Sequence, residues 1–260
     1  MTDVTEPFGG AKSSYYAAFR EAPRERDKVG LSIIANKLSE FKEPIDIVEI
    51  GAGCGNFALL LQNKFPECKV SGIEIDPSCV EAWKNDATLK KIPIINENIL
   101  EKKINRQWHV ALTVAVTLTY PQAEFYRFME AIAQLIKIGG YYVGWELFQE
   151  VDQDLEMNEI IEEMNFCTHS VRSFRYVRSV LEKSGFEDVR YMPFEMPIDL
   201  APVNNTVPWS GRSSDIEQPH LISHTVNTDN GRYCFRGGLY QPWCHVVARK
   251  TREINPKNGK

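Results

Sequence analysis

The chain has no apolar run approaching the roughly 20 residues that a helix needs to cross a bilayer. It has no surplus of positive charge either: 30 Lys and Arg stand against 35 Asp and Glu, a net charge of -5. The first absence speaks against a membrane-spanning helix. The second speaks against tight binding of nucleic acid through phosphate neutralisation. Six cysteines, at 54, 68, 79, 167, 234 and 244, include no C-x-x-C pair, and of the five histidines only His220 and His224 stand four apart, in an irregular stretch and not on an expected helix. No metal site is therefore expected. The acidic, polar stretch Met1–Gly10 is unlike a signal or transit peptide. Scattered, mostly buried thiols then read as reduced cysteines of a cytoplasmic protein. There is no internal repeat and no low-complexity block.

What remains is an ordinary globular composition, 43% hydrophobic and 25% charged, over 260 residues. That length suffices for one large α/β domain. Residues 1–44 read as a helical leader. Ser13–Ser14 caps a short helix with Tyr15, Tyr16 and Phe19, Pro23 breaks it, and Asp27 caps a second with Val29, Ile33, Ile34, Leu38 and Phe41 on one stripe. From Ile45 strands and helices alternate. Strands are expected at Asp46–Ile50, Lys69–Ile75, Ile92–Asn96, His109–Val114 and Tyr141–Leu147. Helices are expected at Asn56–Phe65, Pro77–Ala87 and Gln122–Ile138, the last closed by Gly139–Gly140. Beyond Leu147 the pattern predicts an acidic helix over Asp152–Met164, a helix over Val171–Lys183, and strands at Phe186–Phe194 and Trp243–Lys250. Residues 197–232 are an irregular insertion rich in Pro, Asn, Ser and Thr, and 251–260 a polar tail. Alternation of this kind predicts a doubly wound, mostly parallel sheet with helices on both faces.

The chemistry concentrates at Val48-Glu49-Ile50-Gly51-Ala52-Gly53-Cys54-Gly55-Asn56. An apolar strand ends in an acid, and a G-x-G-x-G loop opens a helix. Glycine is required where a side chain would keep the backbone from a ligand or where the turn needs positive φ. Ligands of open parallel sheets bind beyond the carboxyl ends of strands, where the strand order reverses. The spacing differs from the dinucleotide fingerprint G-x-G-x-x-G, because position 56 is Asn. A second signal is Glu74, at the end of the next strand and 23 residues after Gly51. A carboxylate there can accept hydrogen bonds from both ribose hydroxyls. At such a strand end, facing ligand, its replacement is expected to cost cofactor affinity and little folding stability.

Together these motifs resemble the class I S-adenosylmethionine-dependent methyltransferase family, over Ile45 to about Phe194 with Cys244–Lys250 as the family's last strand. The resemblance implies a seven-stranded Rossmann-like sheet and S-adenosylmethionine as cofactor. It places Glu49, Gly51, Ala52, Gly53 and Gly55 in the first motif and Glu74 with Ile75 at the ribose. Asn98 and Ile99 fall at the adenine, with Asn98 where an acid is usual. Trp108–Leu112 is similar to the fourth strand, and Thr113 begins the stretch where cofactor and acceptor meet. Lys137–Tyr141 resembles the family's L-K-P-G-G turn, and Tyr176–Phe186 its L-x-x-x-G-F junction. Tyr16 and Arg20 lie on a leader that closes over the cofactor in this family.

Methyl transfer is a direct displacement, so the protein supplies alignment and water exclusion, and a general base only when the acceptor keeps its proton until late. Candidate bases are His169 and Glu146; His220 and His224 lie in the irregular insertion. His109 and His245, within strands, read as packed imidazoles. The 197–232 segment, with Trp209, Arg212 and His220, is expected to be an acceptor-side lid or an oligomer contact, and a homodimer is one form the latter could take. The expected acceptor is a small hydroxylated or amino metabolite. A protein side chain, a nicotinamide-dependent oxidoreductase and a non-catalytic binding module remain as alternatives. The oxidoreductase lacks support from any Tyr-x-x-x-Lys pair, and no N-P-P-Y-type motif suggests nucleic-acid bases.

Overall fold

Strands of three to fourteen residues build the sheet, and its central strands are buried because helices cover both of its faces. The structure is a computed structural model and describes residues 23–162, 165–194, 223–236 and 239–253. Strands β1 (Asp46–Ile50), β2 (Lys69–Glu74), β3 (Ile94–Asn96), β4 (Trp108–Val114) and β5 (Ile136–Gln149) run parallel, and β12 (Trp243–Lys250) and β8 (Phe186–Pro193) complete the order β3-β2-β1-β4-β5-β12-β8. β12 is antiparallel to both of its neighbours. The order reverses between β1 and β4, which is where such sheets bind ligands.

Helices α1 (Glu25–Leu38) and α2 (Asn56–Lys64) cover one face, packing Ile34, Phe57 and Leu61 on Ile47, Leu112 and Val143. Helices α4 (Gln122–Gln134) and α5 (Phe174–Lys183) cover the other, with Phe125, Ile132 and Leu181 against Val48, Tyr142 and Val246. Helix α3 (Pro77–Asn85) starts with Pro77 at its first turn and Asp76 as N-cap, whose carboxylate accepts the Ser78 N–H at 2.8 Å. No described helix is long and apolar enough to cross a membrane.

Several elements differ from the sequence reading. The acidic helix expected over Asp152–Met164 is instead strand β6 (Leu155–Glu162), which forms an antiparallel hairpin with β7 (Asn165–Ser173) and extends the sheet through β5. Local helix propensity of the Glu-rich run yields to pairing, as weak propensities do when a partner strand is present. Helix α5 accordingly begins at Phe174, not Val171, with Ser173 accepting the Tyr176 N–H as N-cap. The Gly139–Gly140 pair caps no helix. α4 has ended at Gln134, and the glycines lie inside β5, where a Cβ on Gly140 would stand 2.5 Å from the His109 carbonyl oxygen. The end of the irregular insertion pairs as β9 (Ser223–Thr228) and β10 (Gly231–Arg236), with β11 (Leu239–Tyr240) as third strand. The leader helix starts at Glu25 behind Arg24, so Asp27 is its third residue, accepting the Arg24 N–H, and not its cap, and it ends at Leu38, before Phe41; the remaining boundaries fall within two residues of expectation, β5 apart.

Candidate cofactor-binding site

At the carboxyl end of β1 the glycine loop turns through three positive φ values, +67° at Gly51, +50° at Gly53 and +78° at Gly55. Two of these glycines are also sterically required. A Cβ on Gly51 would lie 2.6 Å from Val116 and one on Gly55 2.7 Å from the Trp83 ring. Gly53 differs: no atom lies within 4 Å of where its Cβ would stand. The loop thus presents bare backbone on an open side. It is anchored by the Gly51 and Ala52 N–H groups, both donating to the Ile73 carbonyl.

Glu74, at the end of β2, faces this loop. Its Oε2 accepts the Gly53 N–H at 2.6 Å, and its Oε1 accepts the N–H groups of Ile75 (2.8 Å) and Asp76 (2.9 Å). This revises the expectation that Glu74 matters little to folding: its carboxylate ties three buried or half-buried backbone donors and fixes the loop against β2. The side chain of Ile75 beside it is 59% exposed, an apolar surface next to a ribose-type acid.

Glu49, on β1 beneath the loop, is buried, and desolvation pushes its carboxyl up to about 8, assisted by the charges of Asp27 and Glu74. The Ala58 backbone and Arg26 oppose that shift. Its Oε2 has no hydrogen-bond partner among the described residues. Asn98 is committed locally, since its amide oxygen accepts the Leu100 N–H at 3.0 Å. Ile99 packs half-buried against the α4/α5 core. Thr113 is buried on β4, with its hydroxyl 2.9 Å from that of Tyr142.

Glu146 does not stand free at a strand end. It is wholly buried within β5, and its carboxylate accepts the N–H groups of Val116 (3.2 Å) and Thr117 (2.9 Å), clasping the 3₁₀ turn Thr117–Thr119 that follows β4. Burial raises its pKa, and the same turn is held from the other side by Arg172, whose guanidinium donates to the carbonyls of Thr117 and Tyr120. His169 is buried on β7, opposite Met157. His109 sits at the amino end of β4, where Nδ1 accepts the Asp46 N–H. Tyr16, Arg20, Trp209, Arg212 and His220 lie outside the described residues, as does the side chain of His224. Among the described residues no group of three His, Cys, Asp or Glu side chains could hold a metal ion.

Three features of this arrangement fit the parts of S-adenosylmethionine. The open flank of Gly53 admits a ligand to backbone contact, and exposed Ile75 offers a face for an adenine ring. The unpartnered carboxylate oxygen of Glu49 is a complement for an ammonium group. Of the residues singled out in the sequence, Glu49, Gly51, Ala52, Gly53, Gly55, Glu74 and Ile75 gather at the carboxyl ends of β1 and β2, beside the switch point between β1 and β4. Sequence reading missed Trp83 and Val116, which shape the loop from below. The only sequence signal for Trp83 was a bulky aromatic on α3 with small residues, Gly55 and Gly72, facing it.

Comparison with known proteins agrees with this geometry. Residues 47–140 match the family described as "Methyltransferase domain". The malonyl-[acyl-carrier protein] O-methyltransferase of Priestia megaterium is 31% identical over 84 residues, which are 32% of this chain and 31% of that protein. The alignment therefore spans under a third of that relative. Human N-acetylserotonin methyltransferase in complex with SAM superposes with a TM-score of 0.58 at 12% identity, covering 92% of this chain and 55% of that one. The Burkholderia thailandensis 1,6-didemethyltoxoflavin-N1-methyltransferase gives 0.53 at 12% identity, covering 92% and 85%. With the strand order, the glycine loop and the strand-end acid in place, residues 47–140 are similar to the methyltransferase domain family, on the fold that these methyltransferases share.

Proposed function

We propose that the chain transfers a methyl group from S-adenosylmethionine to a small hydroxylated or amino metabolite. The observation that carries this is the pairing of the open Gly53 flank with Glu74, a bare backbone and a ribose-type acid 2.6 Å apart across two strand ends. The cofactor supplies an activated methyl group. The residues of the chain would hold its ribose with Glu74, its adenine beside Ile75, Asn98 and Ile99, and its methionine tail near Glu49, with Tyr16 and Arg20 closing from the leader. Alignment in a water-excluded site is then the main catalytic contribution. A small acceptor is supported by the acidic net charge and by fold relatives whose names specify small molecules, N-acetylserotonin and 1,6-didemethyltoxoflavin. The segment 197–232 is the acceptor-side lid in this reading. Five described cysteines are free, which suits the cytoplasm.

Titration calorimetry tests the cofactor assignment. S-adenosylhomocysteine is expected to bind with micromolar affinity and NAD or NADP not to bind. Tighter binding of a nicotinamide cofactor would overturn the reading. A turnover screen with labelled cofactor against hydroxylated, amino and carboxylic metabolites, detected by mass, identifies the acceptor. Transfer to protein side chains alone would overturn the small-acceptor part.

A further inference from the structure

Two thiols meet between the segments that form the candidate cofactor site. Cys54 stands in the glycine loop between Gly53 and Gly55, and Cys79 lies on the first turn of α3, whose N-cap is Asp76. Their Sγ atoms are 3.9 Å apart, and Sγ of Cys79 lies 3.6 Å from Oδ2 of Asp76. Cys54 is buried and Cys79 half-buried, and neither forms a disulfide. The two cysteines are 25 positions apart in sequence, so the fold and not local geometry brings them together. A disulfide holds its sulfurs at about 2.05 Å. The sulfurs must therefore approach by nearly half of their present separation to bond.

The packing around the loop decides where that approach is taken up. There is no slack at Gly51, against Val116, or at Gly55, against the ring of Trp83 about one turn beyond Cys79 on α3. Gly53 alone of the three has nothing within 4 Å of its flank, and its N–H is held by Glu74 at 2.6 Å. Closing the sulfurs therefore moves the backbone at Gly53 and Cys54, and the contact that yields is the one between Gly53 and Glu74. Bond formation also removes the Cys79 S–H that donates to Asp76, beside the Ile75 and Asp76 N–H groups that Glu74 holds.

We propose that Cys54 and Cys79 are a modification site, a dithiol that oxidants of the peroxide class close to a disulfide, and that closing it weakens cofactor binding. The second half rests on the methyltransferase reading. In the step, the Cys54 thiolate attacks one peroxide oxygen, the O–O bond breaks, one water leaves and the sulfur becomes a sulfenic acid. The Cys79 sulfur then attacks the Cys54 sulfur, the S–O bond breaks and a second water leaves. The two sulfurs lose two electrons, the peroxide gains them, and both thiol protons end in water. Cys54 directly precedes Gly55, the N-cap of α2, where the positive end of the helix favours a thiolate. Contact with Cys54 and burial push the Cys79 thiol up, and the charges of Asp76 and Glu74 add to this, so Cys79 keeps its proton until Cys54 is oxidised. By linkage, bound cofactor opposes the closure by the same factor that the closure takes from its affinity.

The test uses the full chain, reduced or treated with hydrogen peroxide, and begins with non-reducing peptide mass spectrometry. A peptide pair joined through Cys54 and Cys79, lighter by two hydrogens and released by dithiothreitol, is expected. Separate thiols or separate sulfinic acids at the two positions would overturn the proposal. In titration calorimetry S-adenosylhomocysteine should bind the disulfide form roughly tenfold or more weakly than the reduced form, with recovery on reduction. Equal or tighter binding to the disulfide form would overturn the switch. In a glutathione redox buffer, saturating S-adenosylhomocysteine should lower the ratio of disulfide to dithiol by the same factor. Cys79→Ser cannot form the bond and should bind S-adenosylhomocysteine equally in reducing and oxidising glutathione buffers. A loss as large as that of the wild type would overturn the proposal, and the wild-type map and calorimetry decide it if that variant does not fold. If the reduced chain does not bind S-adenosylhomocysteine, the methyltransferase reading falls and the affinity half of the proposal with it, while the peptide map still decides the disulfide.

Discussion

Replacing Glu49 by Gln isolates the contribution of one buried acid to the pH dependence of folding. In the folded chain its carboxyl is raised from 4.5 to about 8, first by desolvation and then by Asp27 and Glu74. Below pH 4.5 the group is protonated in both folded and unfolded chains and adds no slope. Between there and pH 8 the folded chain keeps a proton that the unfolded chain releases, so stability falls as pH rises. A displacement of three to four pH units corresponds to about 5 kcal/mol lost across that window, and to none further above it. Glutamine keeps the shape without the proton. Urea unfolding from pH 4.5 to 8.5, followed by far-UV circular dichroism, should give two stability curves that lie close at the acid end and diverge with rising pH, the variant being the more stable by several kcal/mol at pH 8. Other groups, including the depressed His109 and His245, titrate in both proteins and cancel in the difference. A difference independent of pH would refute the reasoning, and with it the view that Glu49 is a protonated acid before cofactor binds.

Glu74→Ala should lower both stability and S-adenosylhomocysteine affinity, the former by about 2–4 kcal/mol because three backbone donors lose a charged acceptor; thermal melting with and without ligand separates the two losses. Gly55→Ala combines φ +78° with a Cβ 2.7 Å from Trp83, and a destabilisation of at least about 2 kcal/mol is expected by chemical denaturation. A short Gly-Ser hairpin in place of residues 197–232 should leave cofactor affinity nearly unchanged and abolish turnover, and activity surviving the replacement would remove the lid from the account. Cys79, whose thiol is pushed up by its contact with Cys54, by burial and by Asp76 and Glu74, should alkylate slowly with iodoacetamide at pH 7, as followed by mass spectrometry.

The parts of the fold that were legible in the sequence are those whose local pattern and tertiary role coincide. β1, β2 and β4 are almost continuously buried because both faces of a parallel sheet are covered, and the glycine loop announces itself because all three glycines have positive φ and two of them, Gly51 and Gly55, are also closely packed. β6 was illegible because Leu155-Glu156-Met157-Asn158 suits a helix as well as a strand, and only pairing with β7 decides. The start of β5 was hidden for a related reason: Ile136 and Ile138 extend the apolar stripe of α4, and two glycines imitate a helix stop. At the site, Glu74 was visible as a strand-end acid, but its three backbone partners were not, since they depend on how the loop folds back. His245 was legible as a packed imidazole within a strand, and it is buried in β12 against Trp145.

Strand β12 lies between β5 and β8, although more than ninety residues of chain separate it from β5. The sheet therefore cannot close in the order in which a ribosome delivers it. β1 to β5 can assemble early through local crossovers, but β5 and β8 expose unpaired edges until Trp243–Lys250 arrives and is inserted as a central strand. Loop closure over that distance makes this insertion a late and slow event. An elongating or prematurely ended chain is then a half-sheet with two adhesive edges, and chaperone dependence and aggregation of C-terminally shortened forms follow from the strand order alone.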